Sequence, residues 1–360
     1  MIYIDASRYS NTKKRTGVEN YSYFLIGELI KSHGEEITLV SPRKINLKAK
    51  QIIIPFPRLW TQLRLSWEIF KNQKIDNLFV PSHVLPLITP KKSTITIHDV
   101  VFKYSPESYS LASRVYLNWS TKFAVKHATS IIVPSEATKK DLITFYKASA
   151  KKIHVIPLGF EAPKTAPSTA EEKKVLQKLS LETGKYFLYI GRIEHKKNSD
   201  NLIKAFQEFS KTNPKVKLVL AGKLGHGGEE ILSQTKAAEN KNILITGYVS
   251  EEEKSALLNH ATAFIFPSRF EGFGLPLLEA MHHKLPIIAS DIPTSKEIMG
   301  GQAHYFEVDD SKGLVAQMEA VMSKAAKQDV HLNVYGDSLK EYSWKKCSDK
   351  VYQVLSSESA

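Results

Sequence analysis

The sequence has a single cysteine, Cys347, among its 360 residues. One thiol can make neither an internal disulfide nor a cysteine-based metal site, so stapled secreted scaffolds and zinc ribbons are excluded and a reducing, cytoplasmic setting is expected. Uninterrupted apolar runs of the roughly 20 residues needed to cross a bilayer are also missing, which leaves peripheral attachment as the expected form of any membrane contact. Met1 leads straight into the strand-like Ile2-Tyr3-Ile4, so no secretion signal is expected. Two phosphate-binding signatures are absent as well. The loop after that first strand, Ala6–Gly17, is long and polar with one late glycine, where a dinucleotide fold would carry G-x-G-x-x-G. No G-x-x-x-x-G-K-S/T loop occurs, which removes the P-loop nucleotide hydrolases.

What is present supports two ordinary domains, since 42% hydrophobic and 24% charged residues give enough apolar material for two cores. The net charge of +13 is unevenly spread: residues 1–160 hold 24 Lys and Arg against 11 Asp and Glu, while residues 161–360 hold 26 of each. The basic half either meets an anionic partner, such as a lipid surface or a lipid diphosphate, or is a solvated basic face. No nucleic-acid-binding motif accompanies the excess, so nucleic acid is not expected as a partner.

Short β-branched or aromatic runs alternate with helix-length amphipathic stretches, the pattern of parallel sheets with crossover helices. Strands are expected at Ile2–Asp5, Ile37–Val40, Gln51–Ile54, Leu78–Pro81, Thr94–His98, Ile131–Pro134 and His154–Pro157, with helices over Val18–Lys31 and Leu111–His127. A second series runs through Tyr186–Ile190, Leu218–Ala221, Ile243–Thr246, Phe264–Phe266 and Ile287–Ala289. Between them, residues 161–170 are rich in Pro, Thr, Ser and Ala without apolar periodicity and read as a linker. The expected fold is α/β, with two Rossmann-like doubly wound domains at 1–160 and 161–343. Such a fold leaves function open.

The chemistry is concentrated in Phe266–Ala280. A strand ends near Pro267, a loop carries Glu271, Gly272, Phe273 and Gly274, and Leu275-Pro276 can open a helix. Amides at a helix start form a ready anion site, and Glu279, expected in the first turn, can reach a sugar hydroxyl from the same side. Either glutamate alone reads as a surface charge; the segment as a unit suits a polyhydroxy ligand attached to a phosphate. A second anchor follows Tyr186–Ile190, where Arg192 and Lys197 can converge on one diphosphate as a planar fork and a point charge. The Asp309-Asp310 pair reads as a turn after Tyr305–Val308.

Taken in order, Thr16–Tyr21, Thr96-Ile97-His98-Asp99, Pro134–Thr138, Ile156–Gly159, Glu271–Pro276 and Tyr342-Ser343-Trp344 make a joint signal over nearly the whole chain. The chain resembles the retaining nucleotide-sugar glycosyltransferases of the GT-B fold, glycosyltransferase family 4, whose E-x7-E hallmark is matched by Glu271 and Glu279. Within that group it is similar to bacterial mannosyltransferase-like enzymes of surface polysaccharide synthesis. The resemblance implies two domains facing each other across a cleft, with the last helix, about 344–355, packing back on the first. It implies Arg192 and Lys197 on the donor diphosphate, Gly17 giving that diphosphate room from across the cleft, and Glu279 on the ribose. Glu271 and the backbone of Gly272, Phe273, Gly274 and Leu275 would hold the sugar, with His98 beside the reacting carbon. Read alone, His98 is equally a strand-end histidine bonded to a carbonyl. The pattern departs from the family at Glu19-Asn20, so Glu19 is expected to face away from the diphosphate or to meet the acceptor.

The implied reaction retains anomeric configuration by front-face attack and needs no cofactor and no metal, since Arg192, Lys197 and a helix start can neutralise the leaving diphosphate. The implied donor is GDP-mannose, with its base near Gly247-Tyr248-Val249, and the acceptor a glycan or a lipid-linked sugar. UDP-glucose and related UDP-sugars are the chief alternative, followed by a non-transferring enzyme such as an epimerase or phosphorylase, and by a non-catalytic sugar-nucleotide-binding protein. One further segment stands out in the first half. Trp60, Leu63, Trp67 and Phe70 follow helical spacing flanked by Arg58, Arg64 and Lys71, and Lys13-Lys14-Arg15 and Lys91-Lys92 add charge. The stripe is expected to pack on the sheet; the alternative is an anionic membrane interface at the inner face of the plasma membrane.

Overall fold

β-branched and aromatic runs make the strands, and in the computed structural model they assemble into two wholly parallel sheets. The structure describes every residue except 13–14, 57–58, 73, 164–166, 324–333 and 358–360, so Lys13, Lys14, Arg58 and part of the expected linker lie outside the described residues. Among those described, the first sheet contains β1 (Ile2–Asp5), β2 (Ile37–Ser41), β3 (Lys50–Ile53), β4 (Asn77–Val80), β5 (Lys92–Thr96), β6 (Ser130–Val133) and β7 (Ile153–Val155), in the order β3-β2-β1-β4-β5-β6-β7. The second contains β8 (Tyr186–Ile190), β9 (Lys217–Ala221), β10 (Ile243–Gly247), β11 (Ala263–Phe266), β12 (Ile287–Ser290) and β13 (His304–Phe306), in the order β10-β9-β8-β11-β12-β13. Each is Rossmann-like. In both, the first strand lies between two neighbours reached by crossovers in opposite directions, β1 between β2 and β4 and β8 between β9 and β11. Such a reversal opens a crevice at the carboxyl ends of the strands, where open parallel sheets take their ligands.

The chain divides into two units. One comprises residues 1–103, 110–159 and 342–360, and the other residues 104–109 and 160–341. The excursion at Tyr104–Tyr109 has no compositional signature and was not expected. The last described helix, Trp344–Ser356, lies on the first unit: Trp344 stacks on Phe24 at 5.2 Å, and Lys92 Nζ donates to the Leu355 carbonyl at 2.6 Å. A Cβ on Gly159 would meet Trp344 at 2.5 Å, so that contact needs a glycine.

In the second unit the helix Ser199–Thr212 lays Leu202, Phe206 and Phe209 on the sheet, with Phe209 edge-on to Phe187 of β8 at 5.4 Å. Removing such a ring costs about 3–5 kcal/mol. The first unit departs from expectation at its tryptophan stripe. Trp60 is buried and its Nε1 donates to the Ile54 carbonyl at 2.8 Å, but Leu63, Trp67 and Phe70 are exposed. A π-helical turn over Trp60–Leu65 precedes the helix Ser66–Lys71. Its wider winding breaks the 3.6-residue period on which the stripe was read, and Leu65 and Ile69 take the inner face instead.

Candidate active site

β8 and β11 pair in parallel with Ala263 opposite Phe187, so the loops leaving their carboxyl ends lie side by side, and both expected donor anchors sit on them. Lys197, in the single turn His195–Lys197, extends its ammonium to Glu271 Oε1, and Ser268 Oγ donates to the same oxygen at 2.7 Å. The Arg192 guanidinium is exposed and makes no hydrogen bond or ion pair to the described residues. The structure therefore brings Lys197 and Glu271 together and leaves Arg192 standing free at the loop's start.

Glu279 lies in the second turn of the helix Leu275–His282, not the first, because it stands four residues beyond the helix start at Leu275, more than one turn of 3.6 residues. Its Oε1 accepts from Lys254 Nζ at 2.6 Å, and Lys254, on the helix Glu251–His260, also reaches Glu251 at 2.8 Å. Burial opposes the charge on Lys254, yet the two carboxylates outweigh it and hold its pKa above the ordinary lysine value. Gly272, Phe273 and Gly274 are buried and Leu275 is half-buried. Gly274 has φ 152, a region that side chains avoid, and a Cβ there would press to 3.1 Å from Leu277 Cδ1. Among the described residues no side chain caps this helix; Pro276 has no N–H and the Leu277 amide donates to the Gly274 carbonyl at 2.9 Å, which leaves the Leu275 amide as the open donor of the first turn. Gly247 carries φ 68 and Tyr248 is exposed beside it, under Lys223 Nζ at 5.9 Å.

The two loops are fastened by a residue that sequence reasoning passed over. Arg269 forks onto Asp200 with two contacts of 3.1 Å, sends Nε to Asp309 at 2.8 Å, and donates to the His195 carbonyl. Its own amide donates to the Lys196 carbonyl at 3.1 Å. Burial alone would raise the Asp200 carboxyl; the guanidinium outweighs it and keeps it below the usual range. Asp309 turns the chain with φ 65, and Asp310 caps the helix Ser311–Met322.

In the first unit, Gly17 opens the helix Gly17–His33, and nothing lies within 4 Å of where its Cβ would stand. Glu19 closes the start of its own helix. Its Oε2 accepts from the Thr16 amide at 2.7 Å while Thr16 Oγ1 accepts from the Glu19 amide, a capping box whose T-x-x-E signature is plain in Thr16–Glu19. The Thr16 amide lowers the Glu19 carboxyl below its ordinary value. His98 follows β5, which ends two residues earlier than expected, at Thr96. Its ring meets Tyr21 edge-on at 4.7 Å, lies 5.2 Å from His83, and bonds the Pro81 carbonyl after β4. Burial, with His83 adding to it, lowers the His98 pKa to about 3 against the pull of Asp99 and Pro81, so the ring is neutral near pH 7. Nε2 is buried without a hydrogen-bond partner among the described residues, an uncommon state that a ligand hydroxyl would relieve.

Among the described residues, no cluster of three His, Cys, Asp or Glu is arranged to hold a metal ion, and no helix is long and apolar enough to cross a membrane.

Comparison with known proteins agrees with this geometry. Residues 15–162 match the family described as Glycosyltransferase Family 4, and residues 171–337 match Glycosyl transferases group 1. The chain is 24% identical over 322 residues to O-antigen chain mannosyltransferase B of Escherichia coli, covering 89% of this chain and 82% of that protein. It is 28% identical over 253 residues to O-antigen chain mannosyltransferase RfbU of Salmonella typhimurium, covering 70% of this chain and 66% of that one. In fold it is similar to WaaG, a glycosyltransferase involved in lipopolysaccharide biosynthesis, with a TM-score of 0.73 at 12% identity over 99% of this chain and 100% of that one. It is also similar to Anabaena Alr3699/HepE, solved in complex with UDP and glucose, with a TM-score of 0.72 at 16% identity over 99% of both chains. With both halves matched in order and the E-x7-E carboxylates on a Rossmann-like switch point, the chain belongs to the glycosyltransferases, as a GT-B enzyme of the family 4 kind.

Proposed function

We propose that this enzyme transfers a mannosyl group from GDP-mannose, with retention, to a hydroxyl of a cell-surface polysaccharide or its lipid-linked precursor. The observation that carries the reading is the pairing of Lys197 with Glu271 at the adjoining ends of β8 and β11, and of Lys254 with Glu279 between the helices Glu251–His260 and Leu275–His282. A cation for the diphosphate, a carboxylate for the sugar and a carboxylate for the ribose thus sit on one wall. The mannosyltransferases among its relatives supply the choice of sugar.

In this reading Lys197 leaves Glu271 for the donor diphosphate, joined by Arg192, and the helix start at Leu275 adds its partial positive charge. The freed Glu271 accepts hydrogen bonds from the sugar hydroxyls together with the backbone of Gly272–Leu275. Glu279, held by Lys254, accepts from the ribose. Neutral His98 bonds a sugar hydroxyl through Nε2, and Gly17 leaves the diphosphate room. The bond from the anomeric carbon to the phosphate oxygen breaks as the acceptor oxygen bonds the same face, and the acceptor proton passes to the departing phosphate. The charge is neutralised without a metal, so transfer persists in excess EDTA. The excess of 13 positive charges in residues 1–160 supports peripheral attachment to an anionic membrane at the cytoplasmic face.

A second donor is favoured by one observation: HepE, similar in fold over 99% of both chains, was solved with UDP and glucose. Direct competition of GDP against UDP for the purified enzyme separates the two, followed by NMR of the product formed from GDP-mannose. Tighter GDP binding and an α-linked mannoside are expected; tighter UDP binding, or a β-linked product, overturns the assignment.

A further inference from the structure

Helix Leu111–His127 is built inside out. Leu111, Val115 and Trp119, spaced i, i+4 and i+8, share a face, and that face is exposed, at 72%, 62% and 46%. The face turned to the protein instead carries Ser120, Thr121, Ala124 and Val125. An ordinary crossover helix does the reverse. The exposed stripe continues through Lys122 and Lys126, both exposed, and the helix also carries Arg114 and no acidic residue. Trp119 stacks on Phe123 at 5.7 Å, which holds the indole on the outer face. Tyr116 hydrogen-bonds Gln62, tying this helix to the segment on which Trp67 and Phe70 stand exposed and stacked at 5.7 Å, with Lys71 Nζ 5.5 Å from the Trp67 ring. Arg64 is paired with Glu68 at 3.1 Å, so the acid on that segment is already neutralised.

We propose that this outward face of Leu111–His127, with Trp67 and Phe70 beside it, docks on an anionic lipid bilayer, its aromatic and aliphatic side chains entering the headgroup boundary and Lys122, Lys126 and Arg114 meeting lipid phosphates. Charge complementarity selects this occupant. Apposing two copies of the face would stack cations on cations with no carboxylate on either helix, whereas an anionic surface satisfies both halves of the stripe at once. The proposal gives the peripheral attachment named above a specific surface, and its test needs no sugar donor.

The full chain is floated with vesicles of phosphatidylcholine, with and without phosphatidylglycerol. Binding is expected to the anionic vesicles, to fall in high salt, and to drop at least about tenfold in two separate variants, Val115→Ser with Trp119→Ser, and Lys122→Glu with Lys126→Glu. Thermal unfolding confirms that each is folded; all four side chains are exposed, and the charge pair serves should the serine pair fail. Absence of anionic-vesicle binding by the parent overturns the proposal. So does undiminished binding by a folded variant of either kind, or loss of binding only on Trp67→Ser with Phe70→Ser. A parent that dimerises through this face and ignores lipid also overturns it. Transfer to a soluble acceptor, measured in parallel, reports on the transferase reading independently.

Discussion

The two helix starts that carry expected donor contacts are finished in opposite ways. The helix after Thr16 is closed by its own capping box, with the Glu19 carboxylate spent on the Thr16 amide. The helix after Gly274 has no side-chain cap, a glycine at φ 152 and a proline among its first residues. The first start is electrostatically satisfied before any ligand arrives; the second is not. A helix terminus is open to an anion when the chain withholds its own carboxylate, so the charge stabilisation of the leaving group is expected from the second unit, and from the first only the proposed space at Gly17 and neutral imidazole at His98.

The sharpest way to break this contrast is at the open start. Lys197→Met is expected to lower kcat/KM about 100-fold or more and to weaken nucleoside diphosphate in parallel, read by steady-state rates and calorimetry. Undiminished diphosphate affinity in this variant and in Arg192→Ala would remove both residues from the donor site.

Next in size is Lys254→Met, which strands the half-buried Glu279 carboxylate. It is expected to cost about 1–3 kcal/mol of stability in urea unfolding and to raise the donor KM. A variant as stable as the parent with an unchanged KM would show that the pair holds nothing.

A third test reads His98 through pH. Its folded pKa of about 3 lies below the ordinary histidine value of 6.5, so the unfolded chain binds the proton first. Stability is thus full above the unfolded pKa, falls as pH drops from about 6.5 toward 3, and is insensitive to this ring on the alkaline side. His98→Asn should lose about 1 kcal/mol less than the parent between pH 7 and 5.5 in urea titrations. Equal losses would show that the ring is not held neutral.

The smallest effect belongs to the closed start. Glu19→Gln should cost about 0.5–1 kcal/mol and leave the donor KM unchanged. A large KM change would mean that Glu19 works beyond its cap.

Much of this was legible. The two strand series, the reach of the helix Leu111–His127 and the Glu271/Glu279 spacing follow from residue pattern, because parallel strands and their switch points impose a chain order. Lys254 was not legible, since in Ser250–Leu258 nothing separates it from a solvated helix lysine until two carboxylates are seen to close on it. The apolar stripe of Leu111–His127 fails for a related reason: periodicity says which side chains share a face, not which face turns inward. Glu19 is a different kind of miss. Its T-x-x-E capping signal is present in Thr16–Glu19, but the same residues carry the resemblance to a donor loop, so one segment supports two readings. Arg269 is a general limit, because its partners Asp200 and Asp309 lie far apart in the chain and meet only when β8, β11 and β13 end together.

Two glycines described above sit at opposite ends of a scale of heritable tolerance. Across a library of random variants, position 159 should be nearly barren, because even a methyl group there would stand 2.5 Å from Trp344, which the stack on Phe24 holds in place. Position 17 has open space, so alanine should survive any selection for folded protein and be lost only under selection for sugar transfer. The gap between those two screens would separate what the chain keeps in order to exist from what it keeps in order to work.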